Sequence, residues 1–135
     1  MADREAIAEL FAEYAYANDT HNPDTLEGMF TDDAEFELSS AGERAVGPLT
    51  GRKNVVSFMR ESFTAQTDQR RHVTTNFRYS DETDGAARVQ AYLSLMVTDN
   101  GQLTAKCTGI YDTRVQLTEG TWLFTAMHIV LDSGF

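Results

Sequence analysis

From residue 70 onward the chain reads as strands separated by short turns, and that run constrains the fold more than any other feature. Residues 70–79 are rich in Val, Thr, Phe and Tyr; after a turn at 81–85 come a strand over about 87–98, the pair Asn100-Gly101, a strand over about 103–117, the pair Glu119-Gly120 and a last strand over 122–131. β-Branched and aromatic side chains suit a pleated, half-buried surface, and Asn-Gly favours a tight hairpin turn. An antiparallel meander is expected. In its first strand a period of two puts His72, Thr74, Asn76 and Arg78 on one face and Val73, Thr75, Phe77 and Tyr79 on the other. A face made wholly of polar groups must meet water or line a cavity, because burial without partners is costly.

Ahead of this run the spacing is helical. A helix is expected over about 3–19, capped by Asp3, with Ile7, Leu10, Phe11 and Tyr14 on its apolar stripe. Beyond Tyr14 the stripe gives way to Tyr16, Asn18 and Asp19, which either fray into solvent or present polar groups where core would continue. Asn22-Pro23 marks a second helix start, with Leu26, Met29 and Phe30 as its apolar side. Residues 34–38 alternate as a strand, at a sheet edge or as a hairpin arm. Residues 39–51 hold Gly42, Gly47, Pro48 and Gly51 and read as loop, with a short return strand as the alternative. Val55, Val56, Met59 and Phe63 define a third helix over about 52–65. Helices and a hairpin-linked sheet in this order give an α+β class, with three helices packed on one face of a curved antiparallel sheet.

Composition narrows the partners. A chain of 135 residues can bury one core without disulfides and is expected to form a single domain. The formal charge of −10 argues against nucleic acid and anionic membranes. The first residues include Asp3, Arg4 and Glu5 rather than an apolar leader core, no apolar run is long enough for a membrane span, and Cys107 is the one cysteine; a cytoplasmic setting is expected. Three scattered histidines have no metal-ligand spacing, so no metal is expected. His21 precedes a helix cap and is expected to face solvent.

Several stretches together carry a resemblance: Tyr14 to Asp19, Leu26 to Ala34, Gly51-Arg52, His72 with Asn76 four places on, Gly109 to Asp112, and Gly120-Thr121-Trp122. In order and spacing they resemble the SnoaL-like branch of the nuclear transport factor 2-like cone fold, which includes polyketide cyclases and scytalone dehydratase, with ketosteroid isomerase more distant. The resemblance implies a cone-shaped α+β barrel, a homodimer paired through the outer sheet face, and a cofactor-free acid–base site inside the cone. Position by position, Asp19 matches the carboxylate at the end of the first helix, His72 the histidine on the facing strand, and Tyr14 the tyrosine five residues ahead of the carboxylate. Two departures stand out: residues 92–96 lack a second histidine or aspartate, and residues 115–118 lack an arginine, that some relatives carry.

The chemistry of these residue types agrees. Imidazole, with an ordinary pKa near ~6.5, suits general-base work at neutral pH, and a carboxylate on its other nitrogen fixes the tautomer. Asp19 would orient, His72 would take a proton, and a phenol such as Tyr14 or Tyr16 would donate to a carbonyl or leaving group. The cone interior is expected to take Phe11, Phe30, Val56, Met59, Tyr92, Met96 and Cys107, with Asn76 and His128 as further lining; a one-residue slip in register would reverse such assignments. A small hydrophobic ligand follows, of the polyketide, terpenoid or aromatic kind. A lyase, isomerase or cyclase, a non-catalytic binding module, and a structural subunit like the small subunits of ring-hydroxylating dioxygenases are the three functions this pattern can serve.

Overall fold

A computed structural model describes residues 1–134. In chain order the elements are α1 (Arg4–Asp19), α2 (Pro23–Glu27), β1 (Phe30–Ser40), β2 (Glu43–Thr50), α3 (Arg52–Ala65), β3 (Gln69–Ser80), β4 (Ala86–Asp99), β5 (Gln102–Thr118) and β6 (Thr121–Leu131). The helix starts are where local chemistry puts them. Asp3 accepts from the Ala6 N–H ahead of α1, and Asn22 accepts from the Thr25 N–H with Pro23 opening α2.

The six strands form one sheet in the order β2-β1-β6-β5-β4-β3. Every pairing is antiparallel except β1 with β6, which is parallel. The sheet curves but does not close, so β2 and β3 are its edges. The segment expected as loop is a hairpin: β2 is an eight-residue strand, and β1 extends to both sides of the expected 34–38. Both turn pairs named from sequence connect their strands with two residues at positive φ, Asn100-Gly101 and Glu119-Gly120, and Ala41-Gly42 does the same between β1 and β2.

The core fills the concave side. α1 buries Ile7, Leu10, Phe11, Tyr14 and Ala17 against the sheet. Phe11 is the hub, meeting Phe77, Tyr111 and Phe124 edge-on with ring centroids 5.2, 6.1 and 5.1 Å away. Gly109 shows why that stretch of β5 carries no side chain: a Cβ there would lie 2.5 Å from the Val130 carbonyl oxygen.

Two bulges decide which residues face inward. In β3, Thr75 pairs with Tyr92 and Arg78 with Gln90, so Asn76 and Phe77 together oppose one residue of β4, and Asn76 takes φ +58°. Before the bulge Arg70, His72 and Thr74 are the more buried residues; after it Phe77 and Tyr79 are. The wholly polar face expected for this strand is therefore split. In β6 the register shifts between Phe124 and Ala126, and burial passes from Trp122 and Phe124 to Met127, Ile129 and Leu131.

Candidate functional site: a histidine in the wall of a small cavity, held by a carboxylate

The last turn of α1 lies over β3. Asp19 Oδ1 is 2.6 Å from His72 Nδ1, and the same carboxylate accepts the His72 backbone N–H at 3.2 and 3.1 Å. Both side chains are largely buried, at 9 % and 17 % exposure. A carboxylate at a helix C-terminus faces the negative end of the helix dipole, so this position favours it only through the bonds His72 supplies. Since the carboxylate can only accept, Nδ1 carries the hydrogen in the neutral imidazole, and in that tautomer Nε2 presents a lone pair. Among the described residues Nε2 has no hydrogen-bond partner.

Under the concave sheet lies a cavity of about 160 Å³, walled by Phe36, Leu38, Phe58, Met59, Phe63, Leu93, Leu95, Cys107, Ile129 and Leu131. Apolar voids near this size accept a benzene-sized guest. Its polar lining comprises Tyr14, Asn18, Ser62, Gln66, Arg70, His72 and Tyr111. Several of these are committed elsewhere: the Asn18 amide donates to the Tyr14 carbonyl, Ser62 to the Phe58 carbonyl, and Gln66 bonds His21. Burial pushes the Tyr14 phenol well above its ordinary pKa, with Asn18 acting the other way. Tyr111 is raised in the same direction, by burial and then by Tyr14 and Asp19. Both are neutral donors across the physiological range. Cys107 is also held in its protonated form by burial, against the pull of Lys106 and Arg70. His72 lines both the cavity and a shallow groove between α1 and β3, whereas Asp19 borders the groove alone.

The expected pocket residues divide. Tyr14, Met59, His72 and Cys107 line the cavity. Tyr16 does not; it is 72 % exposed on the outside of α1. Tyr92 and Met96 stand on the opposite face of β4 from Leu93 and Leu95, with Tyr92 54 % exposed. Arg88 and Gln90 share their parity and mark that face as outward in the sequence itself. Asn76 is turned out by its own bulge. The β6 bulge carries His128 to the outer face, where Nε2 meets Ser39 Oγ at 2.9 Å and Asp112 and Arg88 lie near. Phe11, Phe30 and Val56 are buried in the core rather than in the cavity wall. His21 is half-buried, stacked on Phe63 at 4.9 Å, not solvent-facing.

Among the lining residues not read as such in the sequence are Tyr111 and Arg70. Tyr111 is four places from Cys107 on β5 and shares its parity; Arg70 is two places before His72 on β3. Each was recoverable by extending an inward-facing residue along its own strand. Among the described residues no three His, Cys, Asp or Glu side chains gather closely enough to hold a metal ion, and no helix is long and apolar enough to cross a membrane.

Comparison with known proteins agrees with this fold. Residues 1–128 match the model of the SnoaL-like domain. A crystal structure from Novosphingobium aromaticivorans, provisionally named an aromatic ring hydroxylase, is 31 % identical with a TM-score of 0.78, over 95 % of this chain and 87 % of that one. Two more from the same organism share the fold at lower identity. One, provisionally named a scytalone dehydratase, is 20 % identical (TM-score 0.78, covering 96 % of this chain and 83 % of that one). The other, the beta subunit of a provisionally named aromatic-ring-hydroxylating dioxygenase, is 17 % identical (TM-score 0.83, covering 97 % and 90 %). No curated protein matches. A family match over nearly the whole chain and a cone of helices on a curved sheet lead to one statement: the chain belongs to the SnoaL-like domain family.

Proposed function

We propose that the protein is an acid–base enzyme of the dehydratase, isomerase or cyclase kind that needs no cofactor and acts on a small hydrophobic metabolite. The 2.6 Å contact between Asp19 and His72 at the wall of an apolar cavity carries this reading. With Nδ1–H held by Asp19, Nε2 accepts a proton from a carbon or hydroxyl of the guest, and the carboxylate stabilises the imidazolium that forms. Tyr14 and Tyr111 remain protonated and can donate to an oxygen as charge builds on it. The apolar walls strengthen both interactions by excluding water.

Catalysed deuterium uptake at the acidic carbons of 2-indanone and phenylacetone in D₂O, followed by NMR, tests proton abstraction without knowledge of the natural reaction. The native protein is expected to catalyse exchange in at least one of them. His72→Gln should lower the rate by roughly 100-fold or more, and Asp19→Asn by less, since it leaves the base but loosens its orientation. Binding of these ketones without exchange overturns the catalytic reading and leaves a binding module. The ring-hydroxylase names of two structural relatives favour a second reading, a non-catalytic subunit. Retention of a larger partner through purification from the source cells would support it, and its absence would count against it.

A further inference from the structure

Among the described residues Arg70 is the one arginine or lysine in the cavity wall, and the proposed acid–base reaction does not use it. Its side chain is 17 % exposed. Taking a guanidinium out of water in the wall of a cavity that Phe63, Leu95 and Leu131 also line is unfavourable unless it is paired. It is only half paired. Nε donates to Asp68 Oδ1 at 2.9 Å, and Asp68 does not line the cavity; among the described residues the two terminal nitrogens have no partner. Asp68 thus grips the guanidinium from one side and leaves its Nη edge uncommitted. Arg70 and His72 share the inner face of β3 ahead of the bulge, about 7 Å apart along the strand.

We infer that Arg70 is a specificity-determining residue and that the cavity takes a ring-bearing carboxylic acid, with its carboxylate on the Arg70 Nη edge and its ring among the apolar walls. This rests on the reading of the cavity as the ligand site. The two-nitrogen edge of a guanidinium matches the two oxygens of a carboxylate. A neutral carbonyl would need no such cation, because Tyr14 and Tyr111 already supply neutral donors in the same space. In a chain of formal charge −10 a general attraction for anions is absent, so selectivity for an acid would have to come from this residue.

Calorimetric binding of benzoate, phenylacetate and 2-naphthoate, each against its neutral amide, tests the inference. The native protein should bind at least one acid about tenfold more tightly than its amide, the size of a hydrogen bond to a charged group. Arg70→Met should erase that ratio by weakening the acid more than the amide, and Arg70→Lys should restore part of it. Equal affinity for acid and amide in the native protein, no binding of any acid in the series, or equal weakening of acid and amide in Arg70→Met overturns the inference. The first two outcomes are read on the native protein, so a variant that fails to fold does not protect the idea. Because the readout is binding alone, acid selectivity can stand even if deuterium exchange fails, and exchange can stand without selectivity.

Discussion

Asp19 performs two services with one carboxylate. It holds the imidazole of His72 and it satisfies the same residue's backbone N–H, which points away from β4. The family resemblance pairs these two residues; local pattern by itself marks only a helix end and a strand start. Tyr111 was less visible, since it sits inside β5 where only parity separates inside from outside, and Arg70, second in β3, is marked only by the parity it shares with His72. The two buried phenols make a prediction at this scale. Folding favours their neutral forms, so that contribution to stability is complete below the ordinary phenol pKa of 10.0 and declines as pH rises past it. In a near-ultraviolet titration Tyr14 and Tyr111 should therefore stay un-ionised at pH 10–11 and ionise together with unfolding. Stepwise ionisation of all tyrosines in a still-folded protein would contradict the buried placement.

At the scale of elements, turns were legible and bulges were not. Asn100-Gly101 announces its hairpin because both residue types tolerate positive φ, whereas Ala41, at φ +52°, gives no such signal, so β2 went unread as a full strand. The bulge in β3 inserts one residue and so exchanges the two faces of the strand. Through it a single strand sends His72 and Thr74 toward the site and Phe77 against Phe11 of α1. Asn76 holds the left-handed conformation on which this depends. Asn76→Gly should leave the melting temperature nearly unchanged, and Asn76→Val should destabilise by about 1–2 kcal/mol, the penalty a branched residue meets at positive φ. Equal stability of the two variants in denaturant titrations would mean that the bulge does not govern the strand.

For the whole molecule, the consequence lies in the open edges of the curved sheet. Closure would have left no free edge; here β3, the strand that carries His72, is itself an edge. The dimer implied by the family resemblance would cover the outer face, where Val73, Tyr92 and Ile110 are exposed, and would leave that edge as it is. An uncovered edge is a template on which further chains can add strands. By accepting the His72 N–H, Asp19 occupies one donor that an added strand on this edge could use. Sedimentation of native protein and His72→Gln, which keeps the capping carboxylate, should show the same species, a dimer. Asp19→Ala should add larger, concentration-dependent ones, and its failure to do so would mean that the rest of α1 protects the edge unaided. A residue that orients a base would then also be one that keeps the protein from polymerising, and its loss would be felt first as poor solubility.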